Sequence, residues 1–172
     1  MRELLDVSRI TAGKLKLEPE DMDLAALVRE VASRAAEDAT RAGSELRLSV
    51  PEALPGRWDR LRMDQVLQNL LSNALKYGHG QPVDVALEAG ADTVTLRVKD
   101  RGLGIAPEDQ PRLFQKFQRV ASERHYSGFG LGLWIVKQVL DAMGGSIQVE
   151  SAPGQGATFT AVLPRGVSAP TP

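Results

Sequence analysis

The sequence predicts a two-layer α/β sandwich. Three segments carry apolar residues at helical spacing, and roughly five short segments alternate apolar and polar residues like strands. Turns of hairpin length join neighbouring strands, which right-handed parallel crossovers alone would not produce. Helices that bury one stripe and strands that bury one face are satisfied by packing as two layers. A chain of 172 residues supports one good hydrophobic core, since a domain near 150 residues buries roughly 68–70% of its unfolded surface.

The elements follow in order. Residues 1–20 read as the end of a helix and a connector. Leu4, Leu5, Ser8 and Ile10 give a partial face, and Gly13 and Pro19 limit it. A stub this short is unstable alone; it either packs on the main domain or ends a longer helix. The main domain begins near Asp21. Asp23 is placed to cap a helix, and Leu24, Leu27, Val28, Val31 and Ala35 recur at helical spacing before Gly43. Residues 46–50 alternate like a strand, and Pro51, Pro55 and Gly56 mark a loop. A second helix runs from about Arg60 to Tyr77 and stops at Gly78, His79 and Gly80. Strands at 83–88 and 93–99 are joined by a hairpin-like turn. Residues 100–130 are irregular, with at most a short helix near 111–117. A third helix runs from about Leu131 to Met143 and ends at Gly144 and Gly145. Strands at 147–151 and 157–163 flank Gly154 and Gly156. Residues 164–172, rich in Pro, Ser and Gly, are expected to be a disordered tail.

Composition removes several function classes. The chain is 42% hydrophobic and 25% charged, ordinary for a soluble domain. Lys and Arg number 21 against 22 Asp and Glu, a formal charge of -1, so no overall basic field draws nucleic acid or an acidic membrane. The absence of Cys excludes disulfides, iron–sulfur clusters and thiol catalysis, and two His give no zinc spacing. The first ten residues do not read as a signal peptide, and no run approaches the roughly 18 apolar residues of a membrane span. A cytoplasmic domain without direct membrane contact is expected.

The second helix breaks local rules. Asn69 and Asn73 are four apart and lie one above the other, although Asn is a poor helix former. An Asn carbonyl oxygen is a hard neutral ligand suited to Mg²⁺, and Lys76 and Tyr77, one turn on, offer a phosphate contact and an apolar wall. A solvent-exposed polar face has the same appearance, and the helix alone does not separate the two readings.

Three glycine clusters follow. Asp100 ends a strand ahead of Gly102, Leu103, Gly104 and Ile105. The glycines permit close backbone approach to a ligand, and an ionised Asp100 accepts a hydrogen bond such as that of an exocyclic amine; an ordinary Asp-Gly turn looks the same. Gly128, Gly130, Leu131, Gly132 and Leu133 lie at the start of the third helix, where backbone N–H groups can cradle phosphate. The cluster lacks the strand–turn–helix context of a dinucleotide site and the Gly-Lys-Ser/Thr of a P-loop. Gly154, Gly156 and Thr158 sit on a strand-to-strand turn, for which a plain hairpin is an adequate account.

The order of these motifs resembles the catalytic and ATP-binding domain of bacterial sensor histidine kinases, itself similar to the ATPase domains of gyrase and the mismatch-repair ATPases. The likeness covers about residues 21–163. Asp59, Arg62 and residues 65–77 resemble the asparagine box; residues 100–104, the first glycine box; 113–117, the phenylalanine box; 128–133, the second glycine box; and 154–158, a further glycine motif. The resemblance implies a mixed five-stranded sheet covered on one face by three helices, the Bergerat-type ATP-binding fold. It implies three parts: residues 1–20 as the end of a dimerisation helix and its linker, 21–163 as the catalytic domain, and 164–172 as a tail.

The resemblance also assigns roles. Asn73 would coordinate Mg²⁺ directly. Asn69 would support it through water or a second ligand bond and act in catalysis, together with Lys76 on a phosphate. Tyr77 would pack near the nucleotide and Asp100 would bind the adenine amine. Gly102, Gly104 and Ile105 would shape the pocket. Gly128, Gly130, Leu131, Gly132 and Leu133 would meet the phosphates, and Thr158 would support the adenine side. Phe114 and Phe117 would anchor a lid at about 110–128, with Arg119 and Arg124 as its phosphate candidates; two core aromatics and a solvated surface are the plain alternatives. The helix bearing the phosphoaccepting histidine is not in this sequence, and His79 and His125 lack the acidic neighbour of the phosphoacceptor pattern. The implied partners are ATP, a histidine-bearing dimerisation domain of the same kinase and a response regulator, and nucleic acid is not among them. Related hydrolases carry a carboxylate base where this chain has Asn69, so ATP hydrolysis is expected to be slow. The alternatives are an anti-sigma-type serine kinase, a degenerate nucleotide-gated interaction module and, weakest, a nucleic-acid-linked ATPase.

Overall fold

The structure is a computed structural model that describes residues 16–78, 80–114 and 132–166. Its strands are β1 (Glu20–Asp23), β2 (Leu46–Ser49), β3 (Pro55–Trp58), β4 (Val83–Ala89), β5 (Thr93–Asp100), β6 (Ser146–Ser151) and β7 (Ala157–Pro164). Its α-helices are α1 (Leu24–Ala42), α2 (Arg60–Tyr77) and α3 (Gly132–Ala142), and a 3-10 turn spans Gln110–Arg112. The main sheet has the order β2-β4-β5-β7-β6. The β2–β4 pair is parallel and the other pairs are antiparallel, so the sheet is mixed.

Each helix begins for a local reason. The Asp23 carboxylate caps α1, its Oδ1 accepting from the Ala26 N–H at 3.2 Å and from the Leu54 N–H at 2.9 Å. Asp59 caps α2 in the same manner, with Oδ1 accepting from the Arg62 N–H at 3.1 Å. Gly43 ends α1 in the left-handed region, at φ 74°, where its N–H turns back on the last carbonyls.

The buried stripes of the helices meet one face of the sheet. Leu27, Val28 and Val31 of α1, Val66, Leu67, Leu70 and Leu71 of α2, and Ile135, Val136 and Val139 of α3 join Val85, Leu87, Val94, Leu96, Val98, Phe159 and Leu163 of the sheet in one core. Strand alternation places Val94, Val98 and Asp100 on that covered face and Lys99 on the other. The two-layer sandwich with three helices on one face is therefore the observed architecture. Among the described residues, no helix is long and apolar enough to cross a membrane.

Two strands were not expected. Residues 51–56 were read as a loop, yet β3 pairs antiparallel with β1 in a separate two-stranded sheet. The cause is Trp58. Its ring is fully buried, its indole N–H donates to the Pro164 carbonyl at 2.9 Å, and it lies so close over Gly56 that a Cβ there would meet the ring at 2.1 Å. Pro55, at the first position of the strand, is where a proline is tolerated. Ahead of residue 21, Leu17 is buried in the core and the Glu18 N–H donates to Asp59 Oδ2 at 2.9 Å. Beyond β7, Gly166 bridges to Arg57. Residues 1–15 and 167–172 lie outside the described residues.

Candidate functional site

Asp100, 2% exposed, stands at the last position of β5, opposite Ala157 of β7. The chain turns sharply there, because Asp100 Oδ1 accepts from the Gly102 N–H at 2.9 Å. Gly102 is obligatory on steric grounds: a Cβ would lie 1.6 Å from the Tyr77 carbonyl oxygen. The turn is thus pressed against the C-terminal end of α2. A Cβ on Gly104 would sit 2.0 Å from the Ala152 oxygen, and one on Gly156 would sit 2.2 Å from the Asp100 oxygen. The first and last glycine clusters therefore close on each other beside the backbone of Asp100.

Helix α2 brings its polar face to the start of α3. Asn69, half-buried, donates through Nδ2 to the Gly132 carbonyl at 3.3 Å. That bond orients the amide with its carbonyl oxygen as the remaining acceptor. Asn73, one turn on, is half-buried. Lys76 is exposed and Tyr77 half-buried at the end of the helix. Leu133 is buried in the core, so the start of α3 is anchored while the Gly132 carbonyl faces Asn69. Ile105 is partly buried and packs against the core.

The structure thus gathers Asp100, Gly102, Gly104 and Tyr77 at one end, and Asn69, Asn73, Gly132 and Leu133 along α2 and α3. The donor set fits a divalent cation held by neutral oxygens, because Asn69 commits its nitrogen and keeps its oxygen. Among the described residues, no cluster of three or more His, Cys, Asp or Glu side chains competes as a metal site.

Thr158 is not brought to this group. It pairs with Lys99 and Glu150 and belongs to the sheet face away from the helices, whereas Ala157 is the residue opposite Asp100. Strand period decides the matter, since one position along β7 reverses the face. Phe114, at the start of the expected lid, packs edge-on against Phe159, with ring centroids 6.2 Å apart. Phe117, Gly128, Gly130 and Leu131, with Arg119, Arg124, His79 and His125, lie outside the described residues.

Sequence reasoning assigned Asp59, Arg62 and Gln65 to a box without giving them work. Asp59 and Arg62 are buried, Arg62 donates to Gln65 Oε1 at 3.1 Å, and Asp59 joins the Glu18 amide to the first turn of α2. The Asp-x-x-Arg spacing at a helix start was the available signal.

Comparison with known proteins gives the same placement. Residues 58–167 match the family described as histidine kinase-, DNA gyrase B-, and HSP90-like ATPase. The circadian input-output histidine kinase CikA of Synechococcus elongatus is 39% identical over 172 residues, which cover 95% of this chain and 22% of that one. The sensor-like histidine kinase SenX3 of Mycobacterium tuberculosis is 38% identical over 170 residues, covering 97% of this chain and 42% of that one. The chain therefore spans less than half the length of each of these relatives. The crystal structure of full-length ShkA in complex with AMPPNP superposes with a TM-score of 0.84 at 30% identity, covering 98% of this chain and 36% of that chain. The chain belongs to the histidine kinase-, DNA gyrase B-, and HSP90-like ATPase family, and it is similar to the catalytic domains of sensor histidine kinases.

Proposed function

We propose that this domain binds ATP with Mg²⁺ and presents the γ-phosphate to a histidine on a separate dimerisation domain of its own kinase, from which a response regulator is phosphorylated. The observation that carries the reading is the buried Asp100 carboxylate, fixed by the Gly102 N–H and enclosed by glycine turns that admit no side chain. A buried, oriented acceptor suits the exocyclic amine of adenine. Asn73 and Asn69 would hold the metal through their amide oxygens, and Lys76 would reach a phosphate. Bound Mg²⁺ supplies charge neutralisation along the phosphates.

Phosphoryl transfer needs positioning and electrostatic help more than covalent chemistry. The chain's own part is to orient the base at Asp100 and the phosphates beside α2 and the start of α3. No carboxylate stands at position 69 to activate water, which supports slow hydrolysis and transfer to a protein acceptor. Residues 1–20 are proposed as the end of the dimerisation helix and its linker, 21–163 as the catalytic domain, and a cytoplasmic location is proposed for it.

The test uses the full-length protein that carries this domain, with γ-labelled ATP and Mg²⁺. Label that is stable in alkali and lost in acid marks phosphohistidine, as the reading requires. Acid-stable label marks a serine kinase of the same family, and no label, with ATP still bound, marks a nucleotide-gated interaction module.

A further inference from the structure

A closed circuit of hydrogen bonds lies behind the Asp100 turn, built from two residues that the site does not otherwise use. The Ser151 hydroxyl, at the end of β6, accepts from the Ile105 N–H at 2.8 Å and donates to the Gly156 carbonyl at 2.6 Å. Gln110, at the start of the 3-10 turn, donates through Nε2 to the Ile105 carbonyl and to the Ser151 carbonyl, both at 3.0 Å. Ile105 is thus held by both its N–H and its carbonyl. Three backbone segments meet at one hydroxyl: the loop after β5, the end of β6 and the start of β7.

The circuit ends against the functional carboxylate. Gly156, whose carbonyl Ser151 holds, packs on the backbone of Asp100, and Gly104 packs on Ala152 beside the same hairpin. Gly154 adds a backbone bond to the Leu103 carbonyl. The loop 101–109 has no regular pairing of its own beyond its turns, so these bonds set its position relative to β7. Hydrogen bonds in such a connected, partly buried ring reinforce one another.

We propose that Ser151 and Gln110 are positioning residues for the nucleotide base: their circuit fixes the loop 101–105, and through it Asp100, in the binding geometry. The inference rests on the reading that Asp100 receives adenine. Neither side chain touches the nucleotide. Ser151 acts because a hydroxyl both accepts and donates at one point, and Gln110 because one NH₂ group supplies two donors.

The test is calorimetric titration of ATP and of ADP, each with Mg²⁺, into wild type, Ser151→Ala, Ser151→Thr and Gln110→Ala, well below each variant's thermal transition. Amide hydrogen exchange at Gly102 and Ile105 is followed in parallel. Ser151→Ala is expected to raise the Kd roughly tenfold, as loss of well-placed hydrogen bonds does, and by the same factor for ATP and ADP, because the affected loop is at the base end. Gln110→Ala is expected to act in the same direction. Ser151→Thr keeps the hydroxyl on a strand-compatible side chain and is expected to restore affinity, and exchange at Ile105 should quicken only where the hydroxyl or the amide is lost. A lowered melting temperature with unchanged Kd in Ser151→Ala and Gln110→Ala would show a merely structural circuit and overturn the proposal. A loss confined to ATP would move the effect to the phosphate end and also overturn it. If wild type binds neither nucleotide, the functional reading falls and takes this proposal with it; if wild type binds and Ser151→Ala matches it, the positioning role alone falls.

Discussion

Asp100 and Gly102 act as one unit. The carboxylate can be fixed only if residue 102 brings its N–H close, and residue 102 can come close only without a Cβ. Gly102→Ala would place a methyl 1.6 Å from the Tyr77 carbonyl oxygen, so either the end of α2 or the turn must move. Overpacking of this kind costs about 1–3 kcal/mol, and thermal or urea denaturation should register it. Gly154→Ala is the control: the residue has φ +79° but nothing within 4 Å. Its cost is the backbone strain alone, about 1 kcal/mol. Asn69 and Asn73 stand out in the sequence because two amides inside a helix run against propensity, whereas Asp100 stands out only by its place ahead of Gly102 and Gly104. The sheet face that Thr158 occupies was not legible, because a glycine turn does not reveal which residue after it faces inward; only the register, Asp100 against Ala157, does.

At the scale of elements, the two capping aspartates are distinct in consequence. The Leu54 N–H above all, offset in part by burial and aided by the Ala26 N–H, holds the Asp23 carboxyl below the ordinary aspartate value. A depressed folded-state value means the contribution is complete above the unfolded value, near 3.9, and is lost as pH falls through the folded one. Asn caps nearly as well as Asp, so wild type should exceed Asp23→Asn in stability at pH 7, and the gap should close below about pH 4 in urea denaturation. Asp59 is buried and serves two N–H groups, those of Glu18 and Arg62. Asp59→Ala strands both donors and should cost about 2–3 kcal/mol, with the segment at Leu17 and Glu18 becoming protease-sensitive first. The three helices and the five strands of the main sheet were readable from period and punctuation. β1 and β3 were not, because each has only four residues, β1 mostly acidic and β3 opening on Pro and Gly, too few to carry an alternation. They exist because the Trp58 indole must be buried and its N–H bonded, a demand that comes from Pro164, 106 positions away.

For the whole molecule, binding and folding are linked. Asp100 belongs to β5, Asn69 and Asn73 to α2, and Gly132 to α3, so a nucleotide that touches all three ties the layers together. A ligand specific for the folded state at 100 times its Kd adds about 2.7 kcal/mol, which for a chain of this size is a rise in melting temperature of several degrees. ATP with Mg²⁺ should produce that rise, and Asn73→Ala should reduce it toward the value without metal, as read by differential scanning calorimetry. Charge adds little to this, since the formal net charge of -1 gives no overall basic field.

The proposed function turns on whether the Asp100 carboxylate receives the adenine of ATP. Isothermal titration of ATP into wild type and Asp100→Asn, with Mg²⁺ present and both proteins shown folded by circular dichroism, tests it most directly. The account predicts saturable one-to-one binding in wild type and a loss of at least tenfold in affinity for Asp100→Asn, because an amide offers one acceptor oxygen and a misplaced donor where the carboxylate offers two acceptors. Equal affinity in the two proteins would contradict it.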